Sequence, residues 1–254
     1  MIVLHYIKRY QYTIAIVFFT LVAYILATDI LGLLDATLFP GIQRIGIAFY
    51  VSRRELLQGF LSSLGLLLPS YLLALLFGIT LGLVVGWYQP LRRNLVPLFR
   101  GLSSVPPTLF IPYAIALLPT FWSSSVFIIF IGAFWPIFMG TIHGVVLVED
   151  RYLDNARTLG LHGFRLLRKV IFPAALPMIF SGAGMAMVFT FIMLTVAEMF
   201  GVKSGMGFFI QHHADFFDYA KVLAGMIFMA TFIVIVMAIF DMIQNRMLHW
   251  VIKR

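Results

Sequence analysis

Six stretches of this sequence, near residues 11–34, 60–88, 99–119, 124–147, 174–200 and 221–247, run for about twenty residues or more with few charges. A helix of about 20 residues spans the roughly 30 Å hydrocarbon core of a bilayer. The stretches are continuously apolar and do not alternate, which argues against a transmembrane β-barrel. Backbone in lipid must satisfy its own hydrogen bonds, so each stretch is predicted to be a helix. Composition agrees: 62% of residues are hydrophobic and 11% charged, against about 45–50% and about 25% in soluble domains. The expected fold class is all-α, a polytopic membrane helical bundle of about six transmembrane helices forming one transmembrane domain over 1–254.

Charge gives an orientation. The chain carries 18 Lys and Arg against 10 Asp and Glu, a formal charge of +8. The basic residues lie in short clusters between apolar runs, a membrane-topology pattern that differs from the single basic patch of a nucleic-acid binder. With both termini cytoplasmic, Lys8, Arg9, Arg92, Arg93, Arg100, Arg151, Arg157, Arg165, Arg168, Lys169, Arg246, Lys253 and Arg254 fall inside. Arg44, Arg53, Arg54, Lys203 and Lys221 fall outside, so the excess has the sign of the positive-inside rule. The run from Thr13 to about Leu34 is too long for a signal-peptide core and has no small-x-small cleavage site, so an uncleaved first span is expected. Without cysteine, neither a disulfide framework nor a thiolate metal site is available.

Several spans carry breakers. Pro69 falls in the second, followed by Gly78, Gly82 and Gly86 at intervals of four, a stripe that lets another helix approach closely. In the third, "RGLSSVPPTLFIP" holds Pro106, Pro107 and Pro112, which remove backbone donors and are expected to bend or unwind the helix. Such breaks suit a transport path, ordinary packing kinks being the other reading of any single proline.

The polar segment "DNARTLGLHGFRLLRKVIFPAALP", residues 154–177, interrupts this pattern. Asp154, Asn155 and Ala156 are followed after three residues by Gly160 and after nine more by Val170, Phe172 and Pro173. This spacing resembles the EAA loop of the permease subunits of bacterial ABC importers: Glu-Ala-Ala, three residues, Gly, nine residues, Ile-x-Leu-Pro. Three further segments are similar to the subfamily serving taurine, alkanesulfonates, nitrate, bicarbonate, the pyrimidine precursor of thiamin and riboflavin. They are "LFRGLSSVPPTLFIP", "FWPIFMGTIHGV" and "VAEMFGVKSGMGFFI". Two departures stand out: "LLPTFWSSS" where the family often has Trp-Phe-Gly, and Gly140 where it has Asn.

The resemblance implies a type I ABC importer transmembrane domain with a permease-type core at about 56–248 and a cytoplasmic coupling loop at about 148–172. It implies a multi-pass protein of the bacterial inner membrane that works as a homodimer. Two ATP-binding cassette ATPase subunits and an extracytoplasmic solute-binding protein would be its partners. The solute would be a small anion (sulfonate, nitrate, bicarbonate) or a vitamin or vitamin precursor, moved by alternating access. The chain has no Gly-x-x-x-x-Gly-Lys-Ser/Thr loop, so ATP and Mg belong to the partner ATPase; this chain is not the enzyme and binds no cofactor itself.

Residues can be matched to those roles. Residues 150–159 suit a short helix with Asp150 as N-cap and Gly160 as the left-handed stop. ATPase coupling is assigned to Asp154, Asn155, Ala156, Arg157, Leu159 and Gly160, with Leu153, Ala156 and Leu159 or Gly160 on one face. Arg165, Arg168 and Lys169 read as headgroup anchors. Glu198 shares a helical face with Thr195 and Phe191; it is an outer gate, as family likeness favours, or a structural acid. Tyr113, Trp135 and Thr141 are further pathway candidates, with packing as the alternative for each. His143 is expected to be hydrogen-bonded within the bundle. "QHHADFFDY" offers His212, His213, Asp215 and Asp218, which read more readily as a docking or gating loop than as a metal site, so no metal is assigned. A serine hydrolase arrangement finds no support in the spacing of Ser103, Ser104 and Ser123 to Ser125. A proton-coupled secondary transporter using Glu198 is the alternative function.

Overall fold

The computed structural model describes residues 2–201 and 203–252. Lys253 and Arg254, and the side chains of Lys8 and Arg9, all counted above as inward cations, lie outside the described residues. Among the described residues there is no strand. The helices are α1 (Ile2–Ile25), α2 (Ile42–Val51), α3 (Arg53–Trp87), α4 (Gln89–Ser103), α5 (Ile111–Leu117), α6 (Phe121–Val146), α7 (Asp150–Thr158), α8 (Gly163–Leu166), α9 (Phe172–Gly201), α10 (Met206–Asp215), α11 (Tyr219–Met247) and α12 (His249–Ile252). Among the described residues, four helical segments are long and apolar enough to cross a bilayer: Arg53–Trp87, Phe121–Val146, Gly163–Phe200 and Tyr219–Met247. The fold is an all-α polytopic membrane bundle.

The chain divides into two compact units, Met1–Leu57 with Phe209–Phe228, and Gln58–Phe208 with Met229–Arg254. In the first, Ile45, Ala48 and Ala224 form a small core against Tyr24, Ala220 and Leu223. The Tyr24 hydroxyl donates to the Pro40 carbonyl at 2.8 Å, tying the end of α1 to the start of α2.

In the second unit, small residues set the packing. A Cβ at Gly78 would lie 2.7 Å from Ile137, one at Gly82 2.6 Å from Thr141, and one at Gly86 2.9 Å from Val145. The stripe read from the sequence is therefore the face of α3 that meets α6. At the crossing of α6 and α9 backbone meets backbone: a Cβ at Gly182 would stand 2.6 Å from the Pro136 carbonyl oxygen, and one at Gly140 2.9 Å from the Gly182 Cα. Without a hydrophobic drive between helices in lipid, such backbone approach is what holds spans together. It also explains the missing Asn at position 140, where no side chain fits.

The prolines behave unequally. Pro69 leaves α3 unbroken over its 35 residues, contrary to the expected interruption. The hydrogen bond it cannot make belongs to the carbonyl of Gly65, four residues back, where a Cβ would meet open space. The third predicted span is not one helix: α4 stops at Ser103, Pro107–Phe110 make a tight turn, and α5 adds seven residues. The fifth span does not begin near residue 174, where it was expected. That span starts at Gly163 and includes one widened turn, Leu167–Ile171, just before Pro173, which gives its ring room against the preceding turn.

Candidate functional site

The 154–160 segment forms a rigid knob. Glu149, extended at φ −63° and ψ 136°, precedes α7, so the N-cap is Glu149, and Asp150, expected there, lies in the first turn where its charge favours the helix dipole. At the other end Gly160 adopts φ +75°. Its N–H donates to the Arg157 carbonyl at 2.9 Å, and the Leu161 N–H to the Ala156 carbonyl at 3.0 Å. This pair of bonds is a Schellman stop, which needs a left-handed residue and so favours glycine. Gly163, at φ +54°, makes a second turn, and α8 forms the first turn of the fifth span.

The expected single face of this helix is divided. Ala156 is buried, in a cluster with Val145, Leu166, Ile171, Ala175 and Ile179, and Leu153 packs on that cluster. Leu159 is 80% exposed, and Asp154, Asn155, Arg157 and Gly160 are exposed too. Ala156 and Leu153 thus seat α7 on the chain's own core, whereas the other five coupling candidates are presented outward. Arg157 pairs with Asp154 at 2.9 Å, an exposed contact of small energetic weight. Tyr152 and Phe164 are exposed apolar side chains as well. Arg165, Arg168 and Lys169 are exposed beside the start of the span.

The far end of α9 holds the other site. Glu198 is fully buried. Its Oε1 accepts from Ser63 Oγ at 2.5 Å, and its Oε2 accepts from the Gly207 N–H at 2.7 Å. Ser63 Oγ in turn accepts from the Met206 N–H at 3.0 Å. Gly205, at φ +125°, lies so close that a Cβ there would be 2.5 Å from the Glu198 Cδ. Glu198 therefore caps the start of α10 from a different helix, a task the glycine cannot perform, and joins α3, α9 and α10 in one buried network.

The other pathway candidates separate by exposure. Phe191 is buried, edge-on to Phe232 with ring centroids 5.6 Å apart. Thr195 bonds back to the Phe191 carbonyl at 3.0 Å, and the buried Thr141 to the Ile137 carbonyl at 2.7 Å. Phe191 and Thr141 are buried, and Thr195 is half-buried. Tyr113 is 68% exposed. Trp135 lines a cavity of about 270 Å³ with Ser103, Pro107, Pro136, Met139 and Phe189. His143 is exposed on α6, where hydrogen bonding within the bundle was expected; the adjacent Gly144 takes the packed position against Ala175.

The serines are structural. Thr120 and Ser123 form a reciprocal capping box at the start of α6, and Ser124 Oγ donates to the Ala114 carbonyl at 2.9 Å. The departure "LLPTFWSSS" is thus a helix start tied to α5. His213 stacks edge-on against Phe209 and stands 3.7 Å from Glu55. Burial holds its imidazole below the ordinary range, the nearby Lys221 adding to this. No group of three His, Cys, Asp or Glu suited to a metal occurs among the described residues. The sequence reading missed Ser63, because a serine in an apolar run carries no signal of its distant partner.

Apolar spans crossing at glycines, with one capped polar helix seated at a loop between them, define a polytopic helical membrane protein. The chain belongs to the family of binding-protein-dependent transport system inner membrane components, which matches residues 45–249. It is 31% identical over 176 residues to the nitrate import permease protein NrtB of Leptolyngbya laminosa, covering 69% of this chain and 63% of that one. It is 33% identical over 178 residues to the bicarbonate transport system permease protein CmpB of Synechococcus elongatus, covering 69% and 62%. A probable ABC transporter permease of Brucella melitensis is 27% identical over 173 residues, covering 68% and 70%. The chain thus aligns with less than two thirds of the length of the two cyanobacterial relatives.

Proposed function

We propose that this chain is the permease subunit of an ABC importer for a small oxyanion of the nitrate or bicarbonate kind. Two copies form one pathway in the bacterial inner membrane, each as a single transmembrane domain with both termini cytoplasmic. An extracytoplasmic binding protein delivers the solute. Each α7 docks one ATPase subunit, where ATP and Mg are bound, and closing of the ATPases draws the two loops together and switches access by rigid-body movement.

The observation that carries this reading is α7 itself: a helix at the family's spacing, stopped by Gly160, anchored inward by Ala156 and presenting Asp154, Asn155, Arg157 and Leu159 outward. A handle of this kind transmits force because its inner face is packed. The solute class rests on the similarity to the nitrate and bicarbonate permeases. A proton-coupled carrier is less favoured, since both oxygens of Glu198 are enclosed and hydrogen-bonded.

The test is copurification of the chain with its ATPase, followed by uptake of labelled nitrate and bicarbonate into proteoliposomes with the binding protein present. ATP-dependent uptake is expected. Uptake driven by a proton gradient without ATP would overturn the reading.

A further inference from the structure

Opposite the docking loop, about 45 Å away along the 30 residues of α9, lies a cavity of about 610 Å³ lined by Ser62, Leu66, Phe121, Trp122, Phe200, Lys203 and Ser204. Its size falls in the range of small-molecule sites, about 300–1,000 Å³. Its polar side chains are two hydroxyls and one ammonium, with no acid among them. Ser62 and Ser204 hydroxyls lie 2.8 Å apart, each able to be the donor, so one of the two keeps a free proton to donate. Lys203 supplies three donors and a positive charge, and among the described residues no carboxylate lies within ion-pair distance of it. The nearest acid in sequence on α9, Glu198, has both oxygens committed to Ser63 and Gly207.

The cavity is also held in shape. Ser62 adjoins Ser63, and Ser204 adjoins Gly205, so both hydroxyls flank the buried Glu198 network. A Cβ at Gly59 would lie 3.3 Å from the Gly205 backbone, so α3 and the Lys203–Gly205 segment are in close contact there. An ammonium without an acid partner and two hydroxyls, walled by Trp122, Phe121 and Phe200, offer the donors that an anion needs. A weakly hydrated monovalent oxyanion meets these donors without a compensating acid, and the volume leaves room for part of its water shell.

We propose that Lys203, Ser62 and Ser204 form an oxyanion-binding site in the permease itself, at the end of the spans remote from the docking loop. This rests on the proposed solute class for its link to transport, but binding itself does not. Two measurements separate the two ideas. In a full-length variant with Trp87, Trp135 and Trp250 changed to Phe, Trp122 fluorescence is followed as sodium nitrate or sodium bicarbonate is added at constant ionic strength. A saturable change is expected, lost in K203Q, weakened in S62A and retained in K203R. In otherwise wild-type proteoliposomes, K203Q is expected to raise the KM for oxyanion uptake by about tenfold, with binding-protein-stimulated ATP hydrolysis kept. A change that is linear in anion and identical in K203Q, together with an unaltered KM, overturns the site. Saturable, Lys203-dependent binding in a protein that moves no oxyanion would keep the site and overturn the solute assignment instead.

Discussion

Ser63 and Glu198, 135 residues apart in sequence, share a hydrogen bond of 2.5 Å inside the second compact unit, with the acid fully buried. The carboxylate also takes the Gly207 N–H, while Ser63 takes that of Met206. Removing one partner leaves the others buried and unsatisfied, at about 1–3 kcal/mol per group. Glu198→Ala is therefore expected to lower the thermal midpoint sharply. Glu198→Gln should lower it less, because the amide keeps one acceptor for Gly207. Ser63→Ala combined with Glu198→Gln should be less than additive, a coupling of about 0.5–3 kcal/mol. Strict additivity in thermal unfolding would show that the two residues do not act together.

Gly160 offers a second test, since its Cβ would meet open space and only backbone conformation opposes a side chain. Gly160→Ala should cost about 1–2 kcal/mol for the left-handed backbone and leave docking in place. Gly160→Pro also removes the N–H bonded to Arg157 and cannot adopt φ +75°. In proteoliposomes it is expected to abolish uptake while the ATPase continues to hydrolyse ATP. Normal uptake by the proline variant would remove α7 from the coupling role.

Leu159 should separate docking from folding. At 80% exposure it contributes little to the core, so Leu159→Asp is expected to change the thermal midpoint little and to reduce ATPase copurification several-fold. Ala156→Leu should do the reverse first, destabilising α7 by overpacking its cluster by about 1–3 kcal/mol. Equal effects of both changes on stability would contradict the assigned faces.

The crossing of α6 and α9 predicts a contrast among glycines. Gly182→Ala sets a Cβ 2.6 Å from the Pro136 carbonyl oxygen and should destabilise by about 1–3 kcal/mol. Gly65→Ala, in open space on α3, should be neutral or stabilising by up to about 1 kcal/mol. Thermal unfolding in detergent distinguishes them. The same geometry predicts that Gly140→Asn, which introduces the family's residue, is not tolerated alone.

His213 gives a pH signature. Its imidazole is held below the ordinary 6.5, chiefly by burial, with Lys221 and His212 adding and Asp218 and Glu55 opposing. The unfolded chain then binds the proton more readily, so the neutral ring's contribution is complete above about pH 6.5 and falls as pH drops toward the lowered folded value. His213→Gln should flatten this part of the stability profile, measured as thermal midpoints between roughly pH 5.5 and 7.5. An unchanged slope would mean that another group carries it.

The sequence by itself determined the helical class, the polar loop, the glycine face of α3 and the Gly160 stop. These are local or periodic properties: hydropathy over a span, a four-residue repeat and a left-handed turn need no partner to be recognised. Only the tertiary structure decided that Pro69 leaves its helix intact, whereas the break at Pro106 and Pro107 was already legible in two adjacent residues without a backbone donor. The tertiary structure likewise turned Ala156 inward, since helical spacing defines a face without saying which side meets the core. It also gave Glu198 its partner, for a buried carboxylate is satisfied by whichever donors the packing of distant segments brings to it, and no spacing in the chain records that meeting.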